Sequence, residues 1–107
     1  MKKDDFMKLI KDCQIPESFD QKLLDEASLM MTKWGEGYRH EHADKEYLFK
    51  HFGLVDKPED SESILLEKAA LRCVASKIFD SEMHKSDAVG IIKNFNNINK
   101  PGFRWLQ

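Results

Sequence analysis

Apolar residues along this chain return every three or four positions and almost nowhere every two. That period constrains the fold more than any other feature of the sequence. Its longest run lies between Ser61 and Phe79, where Ile64, Leu65, Leu71, Val74, Ala75, Ile78 and Phe79 form one broad stripe. A strand would send alternate members of such a set to opposite faces, whereas a helix gathers them on one. No stretch sustains apolar/polar alternation, and β-branched residues are sparse. The expectation is an all-α fold.

Start and stop signals divide the chain into about five helices. The first covers about Lys3 to Gln14, with Phe6, Leu9, Ile10 and Cys13 on one face. Ile15-Pro16 ends it, since the residue before proline avoids the helical region. The second begins at Pro16 or Ser18, carries Phe19, Leu23, Ala27, Met30 and Trp34, and stops at Gly35 and Gly37. The third runs from about His42 to Phe52, with Tyr47, Leu48 and Phe52 as its apolar face and Gly53 as its C-cap. Residues 56–61 read as an inter-helix loop, too short to separate domains. The fourth runs from about Ser61 to Phe79 under an Asp60 or Ser61 cap, and its Ala69, Ala70 and Ala75 invite close approach by a neighbour. The fifth spans about Ser86, its N-cap, to Phe95, with Val89, Ile92 and Phe95 on a shared face.

A chain of 107 residues is one domain's worth, so residues 1–107 are expected to form a single compact domain, orthogonal or bundle-like. Helices two and four should be its core pair. The segment 96–107 should pack across them or on a partner. Lys+Arg 17 nearly balances Asp+Glu 19, which excludes a disordered chain of high net charge. No apolar run approaches the roughly 18 residues that span a bilayer. Met1-Lys2-Lys3-Asp4-Asp5-Phe6 lacks the apolar stretch of a secretory signal, so a cytoplasmic location is expected. Cys13 and Cys73 lie far apart without C-x-x-C spacing, and in that compartment the expectation is two reduced thiols buried as small hydrophobes.

Three kinds of chemistry compete. Residues 38–46 hold the densest titratable cluster, in which His40, His42 and Glu46 are of metal-ligating type. His42 and Glu46 would share a helix face, but His40 and His42 would diverge on one, and ordinary helix-dipole roles serve the carboxylates equally well. The second kind is nucleic-acid binding. From Lys85 to Gln107 there are four cations, Lys85, Lys93, Lys100 and Arg104, against the one anion Asp87. Phe95, Phe103, Trp105 and four asparagines lie among them, types that stack on or bond to bases. Lys93, Lys100 and Arg104 would carry such binding, although four cations are few and the rest of the chain is acidic. The sequence holds no nucleophile elbow, P-loop or dinucleotide turn, and Cys73 falls mid-helix on an apolar stripe, so no enzyme and no cofactor is expected.

The third kind, a protein partner, accounts for the most features. Trp34, Tyr38, Phe49, Phe52, Phe95, Phe103 and Trp105 exceed what five short helices bury fully, and Met7, Met30, Met31 and Met83 add deformable apolar surface. The expected function is that of a small cytoplasmic, non-enzymatic regulator or adaptor, of inhibitor, immunity or chaperone type. It would bind another protein through a patch of Trp34, Tyr38, Arg39, Phe103, Arg104 and Trp105, aromatic and arginine residues being the usual hot-spot types. A homodimer that buries the same patch is a second expectation.

Overall fold

A computed structural model describes residues 3–35, 45–81, 84–98 and 100–102, with Lys3, Trp34, Gly35, Lys45 and Lys85 described by their backbone alone. The order is α1 (Lys3–Cys13), α2 (Gln21–Gly35), α3 (Lys45–His51), α4 (Glu62–Phe79) and α5 (Lys85–Lys93), then a 3-10 turn at Phe95–Asn97. The fold is all-α.

α1 carries Asp4 and Asp5 in its first turn and Lys11 in its last, charges that complement the helix dipole. It ends at Gln14, whose φ of 53° is left-handed. The Gln14 N–H donates to Lys11 O and the Ile15 N–H to Ile10 O, so the last carbonyls are satisfied by a Schellman-type turn.

α2 starts later than Pro16 or Ser18, and the reason is a set of bonds to distant residues. The Phe19 N–H donates to Asn96 Oδ1 at 2.8 Å, and Asn96 Nδ2 returns a bond to Phe19 O at 2.9 Å. The Asp20 N–H donates to Glu67 Oε1 at 3.2 Å. These bonds hold residues 19–20 out of the helix. Asp20 then caps it, its carboxylate accepting from the Lys22 N–H at 2.7 Å.

α3 is described from Lys45, and residues 42–44 of the expected helix lie outside the described residues. Leu48 and Phe49 are its buried side chains, whereas Tyr47 is exposed and lies parallel to the His51 ring one turn on. Gly53 caps α3 as expected. Its φ is 76°, and the Leu54 N–H reaches back to Phe49 O at 2.8 Å.

Ser61 is the N-cap of α4, its hydroxyl accepting from the Ile64 N–H at 3.2 Å. Ala70 and Ala75 are buried, but Ala69 is exposed. α5 begins before Ser86, with His84 at its N-cap, and ends at Asn94, whose amide donates to Gly90 O at 2.9 Å. Phe95 then leaves the helix for the 3-10 turn.

One hydrophobic cluster joins all five helices. The most extensive packing is α2 on α5, not α2 on α4, while α4 takes both α1 and α2 against it. Each of the two helices α2 and α5 buries an alanine fully, Ala27 on α2 and Ala88 on α5, and small residues in a contact lower the ridges and let backbones come close. Met30 and Met31, counted from the sequence as deformable surface, are core residues instead. Phe95 is core too, edge-on to Phe19 at 4.8 Å and to Phe6 at 6.2 Å. A helix-spaced aromatic followed by a turn can face inward as easily as outward, and here the Asn96 bracket turns it in.

The cysteines overturn the expectation of two free thiols. Cys13 and Cys73 form a disulfide between α1 and α4, with Cα atoms 5.8 Å apart. Helical spacing puts Cys13 and Cys73 on the facing stripes of the two helices, and contact between those stripes brings the sulfurs together.

Candidate functional site

A groove of about 570 Å³ lies between α3, the loop after it and α4. Phe49, Val55 and Cys73 supply its apolar lining, and Glu46, Lys50, Asp56, Arg72 and Ser76 its polar lining. Glu46, Phe49 and Lys50 are spaced three and four apart, so α3 presents them together. Cys73 and Ser76 stand on the same α4 face as Leu66 and Ala69, which are exposed.

Arg72 is held across this groove. Its Nη1 donates to Leu54 O and to Asp56 Oδ1, the latter at 3.1 Å. The backbone bond fixes the guanidinium, while the Asp56 side chain is 55% exposed and the pair stays in contact with water. Beside it, Val55 is 42% exposed, an apolar side chain presented by a loop. The Gly53 turn aims that loop at α4.

On the other side of the same loop lies a second charged cluster. Lys68 Nζ pairs with Asp60 Oδ2 at 2.6 Å and donates to Val55 O at 3.2 Å, with both side chains largely buried. The Lys68 hydrogen bond, helped by the Lys57 N–H, holds the Asp60 carboxyl below its ordinary 3.8. Glu67, buried one residue earlier, uses Oε1 for the Asp20 N–H, and among the described residues no hydrogen bond reaches its buried Oε2. The two clusters bracket the loop, so Leu54 and Val55 are placed by bonds from α4 on both sides.

Most residues singled out from the sequence lie elsewhere. Tyr38, Arg39, Phe103, Arg104 and Trp105 are outside the described residues, as is the side chain of Trp34. So are His40 and His42, while Glu46 is an exposed residue in the first turn of α3. Among the described residues, no three His, Cys, Asp or Glu side chains cluster to hold a metal ion. Lys93 and Lys100 are exposed, and Arg104 is outside. Two asparagines read as base-bonding types, Asn94 and Asn96, have their amides engaged within the protein. No described helix is long and apolar enough to cross a membrane.

The sequence leads one to expect Leu54 and Val55 both tucked onto the core and marks neither Arg72 nor Asp56; Leu54 is buried, whereas Val55 is exposed. The signal was present, since an arginine on the polar edge of the strongest stripe faces a loop that carries a valine between Leu54 and Asp56. Compared with known protein families, curated proteins and solved structures, the chain matches none.

Proposed function

We propose that the protein is a non-enzymatic helical module that regulates or adapts another protein by binding it, and that the α3–α4 groove seats the partner. The observation that carries this reading is the pairing of an apolar socket, Phe49 and Val55, with a guanidinium already oriented by Leu54 O. A pre-set arginine beside a socket for one apolar side chain is the combination from which binding hot spots are built. The groove's volume falls in the range that encloses such an anchor.

The charge at the mouth specifies the partner further. Asp56 is the replaceable member of its pair, because exposed ion pairs contribute little. A partner segment with an apolar anchor and a neighbouring carboxylate can take the place of Asp56 on Arg72 at small cost. The Trp34, Tyr38, Arg39, Phe103, Arg104 and Trp105 patch belongs to the same reading as a second contact. Inhibitor, immunity and chaperone roles all fit a module of this kind, with cytoplasmic action and self-association as its further expectations.

The test uses the immobilised full chain and lysate of the source cells, followed by affinity measurement with the purified partner. Val55→Asp should weaken binding at least about tenfold, the effect of losing one good anchor. Arg72→Gln should do the same, and Trp105→Ala reads the tail patch separately. Lys93→Glu should leave the partner bound. A partner retained by both Val55→Asp and Arg72→Gln sinks the groove. Steeply salt-dependent nucleic-acid affinity lost with Lys93, Lys100 and Arg104 would point to the rival class. Stoichiometric metal lost with His40, His42 or Glu46 would point to a metal protein.

A further inference from the structure

We propose that the Cys13–Cys73 disulfide is a reversible redox latch, opened by a dithiol that reaches Cys73 through the α3–α4 groove. This stands whether or not a protein partner uses that groove. The two sulfurs are not equivalent. Cys13 is 9% exposed, whereas Cys73 is half-buried and belongs to the groove lining. Exchange begins with a thiolate in line with one sulfur, so access decides which is attacked. Lys50 and Arg72 line the same groove and draw an anion toward it; Glu46 and Asp56 line it too, with Asp56 already paired to Arg72. Lys77, one turn beyond Cys73, adds a cation and pairs loosely with Asp12 at 4.0 Å.

The step balances as two successive exchanges. A thiolate of the dithiol attacks Cys73 Sγ, and the disulfide breaks. The electron pair leaves on Cys13 Sγ, which takes a proton from water. The dithiol's second thiolate then attacks its own sulfur in the mixed disulfide. Cys73 departs as a thiolate and is protonated, and the reductant leaves as a disulfide. Two electrons pass to the protein.

The fold gives this reaction a consequence. α1 is eleven residues long, too short to persist as an isolated helix. Its anchors include Phe6, Leu9, the partly buried Ile10 and the half-cystine itself, together with the exposed Asp12–Lys77 pair. Immediately after it, the chain is pinned by Asn96 at Phe19 and by Glu67 at Asp20. Those bonds keep α2, α4 and α5 together when the latch opens, and residues 14–18 become the hinge.

The oxidised full chain in native buffer, treated with dithiothreitol and followed by intact mass and amide hydrogen exchange, tests the proposal. Reduction should complete without denaturant. The amides of residues 3–13 should then exchange at least about tenfold faster while those of α2, α4 and α5 keep their protection. With glutathione disulfide, Cys13→Ser should be labelled at Cys73 about tenfold faster than Cys73→Ser is at Cys13, because access differs. A bond that yields only in denaturant, or an α1 equally protected after reduction, overturns the latch. So does a chain that purifies with two free thiols which glutathione disulfide does not close. The wild-type arms need no variant to fold.

Discussion

Gln14 occupies a backbone conformation that side chains other than glycine avoid, yet it closes α1. Glycine lacks the Cβ that makes this region costly, so Gln14→Gly should stabilise the fold by about 0.5–1 kcal/mol, read from the urea midpoint. Gly53 is the opposite case. Its φ is also left-handed, and an added Cβ would lie 3.3 Å from Glu26 Oε2. Gly53→Ala should cost about 1 kcal/mol or more and loosen the loop that carries Val55. The contrast explains what a reader of the sequence can see. Glycine after an apolar stripe announces its own geometry, while glutamine in the same role carries no mark. Asn96 is equally silent, because its partners at Phe19 are found only once the chain has folded. Asp60 bears on pH. Its carboxyl is held down in the folded state, so its contribution is present above the unfolded value near 3.8 and is lost as pH falls through the lower folded value. Urea midpoints measured on either side of that window should fall on acidification, and Asp60→Asn should lessen the fall.

At the scale of elements, the stripes were legible because burial in a helix obeys a simple period. All five helices stand within a few residues of their expected places. Pairing was less legible. The α4 stripe is the strongest in the chain, which made α4 look like the natural partner of α2, but stripe strength says nothing about how closely two backbones can approach. That depends on small residues in the contact, and α2 and α5 each bury an alanine fully, Ala27 and Ala88. Ala88→Leu should therefore force these helices apart and destabilise the protein by about 1–3 kcal/mol in urea unfolding. The same change at exposed Ala69 should be near neutral. The groove follows the same logic. Its walls come from two helices and a loop, and only the Gly53 turn, visible in the sequence, hints that the loop returns to α4.

Over the whole molecule, one covalent link changes how the fold is held. Composition and spacing argued for free thiols, since nothing local marks two cysteines as partners when they are 60 positions apart. Contact between α1 and α4 makes them partners, and that is a tertiary fact. Closing a loop of this length restricts the unfolded chain and is worth up to about 4 kcal/mol by loop entropy. That is a large share of the roughly 5–15 kcal/mol typical of a domain. The Cys13→Ser, Cys73→Ser double variant should therefore lose about 2–4 kcal/mol in chemical denaturation. It should still fold, because the Asn96 and Glu67 bonds and the α2–α5 packing do not involve the disulfide. The wild-type protein in reductant should show the same loss, and the double variant none on adding reductant. A wild-type midpoint that reductant leaves unchanged would mean that α1 is held by its apolar face alone.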